Sequence, residues 1–256
     1  MTVVEWAETN WILPETRRPI VLQPWQRETL LAIFPPDGSP SPHETFLIST
    51  VKKAGKTELN AVATLYAALT FPAPETVFAV ANDLEQAQER VFERIAKAAR
   101  AMGLVRSGAA VVSRSEIVFP ETGSRIVAVP ADFAGAAGAV FGITSWTELW
   151  AYRHEGHVRL WEELTPIPNR RSLRIVDSYA GFAGDAPILE AVWQRALEGE
   201  RIHDELPIYT SGKLWAFIDQ GRRRSGAAGS EIPAPWATTT PSRPRRSDRA
   251  PTRACT

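Results

Sequence analysis

The chain has 256 residues, 44% of them hydrophobic and 23% charged, which suits one large or two small globular domains with a sizeable core. No apolar run approaches the ~18 residues of a membrane span. No basic-then-apolar leader opens the chain, and the lone Cys255 excludes an internal disulfide framework and fits a reducing compartment. The formal net charge of zero hides a split. Residues 222–256 carry eight arginines against Glu231 and Asp248, so the body (1–221) is about −6 and the tail about +6. A basic tail can bind nucleic acid non-specifically. This one reads first as solvated and disordered.

Residues 1–23, with Pro14 and Pro19 and then Pro24, read as an extended lead-in. "WQRETLLAIF" (25–34) is apolar at helical spacing, and "PPDGSPSP" (35–42) is a loop by composition. "ETFLIST" (44–50) predicts a strand. From Lys56 to Phe71 a helix aligns Leu59, Val62, Ala63, Tyr66 and Leu69 on one face. "TVFAVA" (76–81) is a second buried strand. Asp83 with Gln86 forms a candidate capping box for a helix that buries Val91 and Ile95 and stops at Gly103. "AAVVSRSEIVF" and "SRIVAVP" flank "PETG" as a hairpin or meander. "GAVFGITSW" (138–146) is a third buried strand, "HVRLWEEL" a helix, "SLRIVDSY" a strand and "APILEAVWQRALEG" a helix closed by glycine. Strands alternating with helices predict an α/β domain with a mainly parallel sheet flanked by helices. From about Gly221 the pattern fails, and a stretch built of Arg, Pro, Ala, Ser, Thr and Gly cannot bury enough apolar surface to offset its ordering entropy. The expected division is a domain over 1–221 and a disordered basic tail over 222–256.

The chemistry concentrates in "STVKKAGKT". Gly55-Lys56-Thr57 follows a predicted strand and opens a predicted helix, the context of a phosphate-binding loop of the P-loop NTPase type. The helix N-terminus offers free N–H groups to phosphate. Gly55 lets the backbone approach, Lys56 is placed for the β/γ-phosphates of ATP, and Thr57 for Mg²⁺. Lys52 and Lys53 add positive charge, and Thr50, where the usual pattern wants glycine, and Ala54 complete the candidate site. Upstream, Gln26 beside Trp25 offers an amide for an adenine edge, although a surface glutamine on a helix is the plainer reading. An ATPase of this kind also needs an acid ending a neighbouring strand. Glu148 in "SWTELW" takes that place, while Thr147 precedes it where an aspartate would anchor the metal. His154 and His157 invite a metal reading, but a solvated loop is the simpler one, and Trp146, Trp150 and Trp161 read as core or interface aromatics.

Taken together, "VLQPWQRETL", "STVKKAGKT", "VFAVANDLEQAQERVFERI", "SWTELWAYR", "LWEELTPIPNRRSLRIVDSYAGFAGD" and "LPIYTSGKLWAF" resemble the ATPase portion of the large terminase subunit of tailed phages, over roughly residues 20–220. The resemblance implies a DNA-packaging motor that couples ATP hydrolysis to translocation of double-stranded DNA. It implies a terminase small subunit, a portal protein and a homo-oligomeric ring as partners, the bacterial cytoplasm as location, and no membrane. It assigns the missing first glycine to a known variant of the loop, makes Lys52 the γ-phosphate sensor, Glu148 the catalytic glutamate, and Ser178 in "DSYAG" part of the motif coupling hydrolysis to movement. Two departures follow. Thr147 replaces the family's aspartate, which predicts slow hydrolysis that Thr147→Asp would raise. The family's nuclease domain, expected from about residue 240, has no counterpart in the tail, which resembles a shifted reading frame. The alternatives are a truncated prophage remnant that binds nucleotide and hydrolyses it poorly, or another P-loop DNA-dependent ATPase.

Overall fold

The computed structural model describes residues 1–72, 75–81, 91–131, 140–167, 171–181 and 184–219. The capping box at Asp83, the first two residues of the stretch 138–146 and the tail beyond 221 lie outside these. Six α-helices are described: α1 (Val3–Asn10), α2 (Pro24–Ile33), α3 (Lys56–Thr70), α4 (Glu93–Ala101), α5 (Glu155–Glu163) and α6 (Pro187–Leu197). A two-stranded ribbon pairs β1 (Ile12–Leu13) with β2 (Arg18–Pro19). The main sheet holds β3 (Thr45–Thr50), β4 (Thr76–Ala81), β5 (Val111–Val112), β6 (Glu116–Phe119), β7 (Ser124–Pro130), β8 (Ile143–Thr147), β9 (Leu173–Ser178), β10 (Glu200–Arg201), β11 (Ile208–Ser211) and β12 (Leu214–Asp219).

The sheet order is β10-β11-β12-β3-β9-β8-β4-β7-β6-β5. Its centre, β12 through β7, is parallel, and antiparallel strands finish both edges. The expected mainly parallel α/β sheet is thus what the chain forms. The strands alternate their burial between two apolar layers, as a period of two requires. Phe46 and Ile48 of β3, Val77 and Ala79 of β4 and Ile175 of β9 join one layer, which also takes α1 to α4. Leu47, Phe78, Val80, Trp146 and Val176 join the other, with α5 and α6. Helix α3 is buried on nearly every side, well beyond the single face expected, because the sheet lies under one side of it and α2 and α4 pack against others.

The N-terminal segment departs from the extended expectation. Thr2 and Glu5 form a reciprocal capping box, with the Glu5 amide donating to Thr2 Oγ1 (3.2 Å) and the Thr2 amide to Glu5 Oε2 (2.7 Å). The prolines follow this helix instead of extending it. Trp11, fully buried, donates its indole N–H to Glu58 Oε1 on α3 (2.7 Å), which locks the segment onto the core. The hairpin over 116–130 turns at Gly123, whose φ of 71° glycine adopts at little cost. The "HEGH" stretch is also not a solvated loop. His157 lies buried on α5 against Tyr152, with ring centroids 5.4 Å apart. Among the described residues no cluster of three or more acidic, His or Cys side chains could hold a metal. No described helix is long and apolar enough to cross a membrane.

Candidate functional site

The site assembles at the C-terminal ends of β3, β9 and β8, three adjacent parallel strands. Chain leaving β3 crosses to β4 on one side, and chain leaving β9 runs to β12 on the other, so a crevice opens between them, the usual ligand position in such sheets. Residues 51–55 connect β3 to α3. Gly55 caps α3 with φ 88°, a backbone conformation that favours glycine, and a Cβ there would press on Gln26 Nε2 at 3.0 Å. Lys53 also adopts positive φ (68°). These two turns aim the loop backbone at the start of a 15-residue helix, where free N–H groups and the dipole favour an anion.

Lys52, Lys53, Lys56, Thr57 and Glu148 line one cavity of about 280 Å³, together with Trp150 and Tyr179. Lys56 is 5% exposed, and its Nζ lies 3.9 Å from Glu148 Oε1. Lys52 and Lys56 lie over the Tyr179 ring, with Nζ to centroid distances of 4.7 and 5.5 Å. Trp150 packs on Tyr179 and donates its indole N–H to Glu148 Oε2 (2.7 Å). Glu148 itself sits in the left-handed region, φ 54° and ψ 50°, which costs a non-glycine residue roughly 1–2 kcal/mol. Such strain, held at a buried acid in a crevice, is the kind found where geometry serves chemistry.

The other sequence-predicted residues pack behind the lining of this cavity or in its loop. Gln26 is buried, not a surface residue. Its Oε1 accepts the Gln23 amide (2.8 Å) and its Nε2 borders Gly55. Neighbouring Trp25 is stacked on Phe217 of β12 (4.8 Å, 9°), so it builds the core next to Gln26. Ser178 is buried and accepts the Trp150 amide (3.2 Å) while donating to the Tyr179 carbonyl (2.9 Å). Thr50 ends β3, buried, with its hydroxyl on the Val51 carbonyl (3.2 Å), and Ala54 is half-buried in the loop.

The sequence reading missed Tyr179, Asn60 and Ser145, and above all the acid at the centre of the site. Asp177 on β9 is fully buried at the centre of the site. Its Oδ2 accepts the hydroxyls of Thr57 (2.9 Å) and Thr147 (3.2 Å), and its Oδ1 accepts Asn60 Nδ2 (2.7 Å). Asn60 in turn accepts Ser145 Oγ (2.8 Å). The Asp177 carbonyl accepts the Glu148 amide (2.7 Å). Burial pushes the Asp177 carboxyl up to about 6. The Asn60 hydrogen bond opposes the rise, the Glu148 charge adds to it, and the Thr57 hydroxyl and Lys56 charge pull it back. The signal was present in "RIVDSY", an acid near the end of a buried strand, as Glu148 follows its own. A second cavity, of about 370 Å³, lies among Leu31, Ile202 and Trp215 and contains none of these residues.

The HK97 bacteriophage large terminase is similar in structure to this chain at a TM-score of 0.68 and 20% identity, over 88% of this chain and 45% of that one. The chain has the fold of a large-terminase ATPase. The large terminase of a thermophilic bacteriophage (TM-score 0.56, 10% identity, 78% of this chain and 46% of that one) shares it. So does the large terminase ATPase domain of Thermus phage P74-26 (TM-score 0.54, 15% identity, 78% and 81%). This terminase-like chain therefore spans less than half the length of the first two of these proteins. No protein-family model matches the sequence, and neither does any curated protein.

Proposed function

We propose that this chain is the ATP-hydrolysing portion of a phage DNA-packaging large terminase. The observation that carries the reading is the convergence of the Lys56 ammonium, the Thr57 hydroxyl and the Glu148 carboxylate where three parallel strands end, beside a glycine-capped helix N-terminus. The donor set also fits a magnesium–nucleotide. Thr57 gives its hydroxyl proton to a carboxylate, so the oxygen lone pairs are offered outward to a hard cation.

In this reading Lys56 and the amides of residues 52–57 bind the β- and γ-phosphates, and Lys52 adds a charge at the γ-phosphate. Gln26 lies on the adenine side. Thr57 would ligate Mg²⁺, which when bound draws charge from the phosphate oxygens. Glu148 orients the attacking water and takes its proton, held in direction by Trp150. Ser178, ending the strand next to the loop, and Tyr179 just after it carry the change on hydrolysis to the rest of the motor. Double-stranded DNA, a small subunit, a portal protein and a ring of copies are the partners this implies, in the cytoplasm of a bacterial host. The domain over 1–221 is the unit of this activity. Thr147 favours a second reading, a remnant that binds nucleotide and turns it over slowly.

Phosphate release and nucleotide binding test both. Wild type should bind and hydrolyse ATP with Mg²⁺, faster when double-stranded DNA is added. Lys56→Ala should lose binding, and Glu148→Gln should bind normally with kcat down about 100-fold or more. Binding without measurable turnover selects the second reading. Equal ATP affinity in wild type and Lys56→Ala ends both.

A further inference from the structure

We propose that Asp177 supplies from β9 the magnesium-anchoring carboxylate that β8 lacks at Thr147. The inference rests on the ATP-site reading above and adds a positioning residue to it.

Thr147 and Asp177 are direct partners in the parallel β8–β9 ladder. Strands in a sheet lie about 4.8 Å apart, less than the reach of an aspartate side chain and its first contact. A carboxylate can therefore move one strand sideways and still serve the same point in space. The side chains show this. Both Thr147 and Asp177 face α3, and their polar atoms meet at 3.2 Å. The same Asp177 oxygen, Oδ2, also accepts the hydroxyl of Thr57 at 2.9 Å, the residue whose oxygen faces the phosphate crevice. The hydroxyl at 147 stands where an acid is expected on β8 and gives a hydrogen bond to the acid on β9.

A buried carboxylate is costly unless its charge is used or matched. Around Asp177 the matching is by neutral donors, Thr57, Thr147 and Asn60, with the Lys56 ammonium beyond. Each donor bond fixes the carboxylate, and Asn60 is itself fixed by Ser145. Such a pocket holds a negative charge a set distance behind the Thr57 oxygen, which raises the affinity of that oxygen for a divalent cation. The same residue's carbonyl holds the Glu148 amide at 2.7 Å, so the anchor and the candidate base are tied together across two neighbouring strand ends. A purely structural staple between β9 and α3 would need the hydrogen bonds but not the charge, and that difference is measurable.

The experiment is titration of the full chain with a fluorescent ADP analogue in EDTA and in excess Mg²⁺. Wild type should bind more tightly with Mg²⁺ by about tenfold or more. Asp177→Asn keeps the shape but loses the charge and turns one acceptor oxygen into a donor, so the double exchange with Thr147→Asp, which returns a charge without restoring those bonds, separates charge from hydrogen bonding. It should bind within threefold of wild type in EDTA and gain less than twofold from Mg²⁺. Thr147→Asp/Asp177→Asn returns the carboxylate to β8 and should recover most of the magnesium gain. Lys56→Ala should weaken binding in both conditions. If wild type binds no ADP analogue in either condition, the ATP-site reading falls. If wild type shows the magnesium gain and Asp177→Asn retains it, Asp177 is a staple and only this proposal falls. Should Asp177→Asn fail to fold, the double exchange carries the test alone: a magnesium gain near that of wild type supports the proposal, and none overturns it.

Discussion

Thr147→Asp restores the residue that the terminase pattern has at this position, and the sequence alone predicts faster hydrolysis. The structure predicts harm. Thr147 is 2% exposed, and its hydroxyl lies 3.2 Å from Asp177 Oδ2. The new carboxylate would face an existing one. Two unit charges about 4 Å apart repel by about 4 kcal/mol at an effective dielectric constant of about 20. The hydrogen bond from Thr147 is lost as well, about 1 kcal/mol, while partial proton sharing returns some of the total. A net loss of about 3 kcal/mol lowers Tm by about 6–12 °C for a domain of this size. Thermal unfolding in EDTA measures it. Like charges raise the folded-state pKa of the pair above the unfolded value. The deficit should therefore be full at pH 8 and shrink as the pH falls toward 5, where a proton neutralises one partner. Thr147→Asn, neutral and able to donate, should stay within about 1 kcal/mol of wild type. If Thr147→Asp melts with wild type at pH 8, or its deficit grows on acidification, the two side chains do not share a buried pocket and the site geometry is wrong.

Trp150→Phe removes the indole N–H from Glu148 Oε2 and should lower kcat about tenfold with KM little changed, since a misdirected base costs rate and not binding. Steady-state kinetics check this, and an unchanged kcat would show that Trp150 does not orient the acid. Gly55→Ala forces a side chain to φ 88° and into contact with Gln26, so a loss of about 1–2 kcal/mol and weaker ADP binding are expected by urea titration and fluorescence. An alanine variant as stable as wild type would mean that the loop has room to relax. Arg174→Met should cost about 2–4 kcal/mol. Burial holds that guanidinium's pKa well below the usual arginine range, yet it stacks 3.6 Å from the Trp161 ring centroid and donates to the carbonyls of Trp161 and Leu164, which methionine would leave unpaired. Arg174→Lys should recover little of this, because an ammonium cannot stack as a planar fork does, and chemical unfolding compares the two.

Local features were legible along the chain. A six-residue β-rich run with an apolar centre ending at Thr50, a glycine, and a helical pattern after it are enough to specify strand, turn and helix, because each depends on neighbours a few residues away. The same holds for β4, β8 and β9, and for Glu148 as the acid following an apolar strand. The start of α1 was equally local in its Thr2–Glu5 box, and the prolines that follow it masked the signal. What the chain could not express locally is which strands lie side by side. Periodicity of two says that a strand is buried, not what it borders. Only the order β3-β9-β8 brings Asp177 against Thr57, 120 residues earlier, and against Thr147, 30 residues earlier. Read along the chain, Thr147 is a missing charge. Across the sheet, where neighbouring strands stand about 4.8 Å apart, the charge has moved by one strand, because electrostatics acts through distance in space and not through position in sequence.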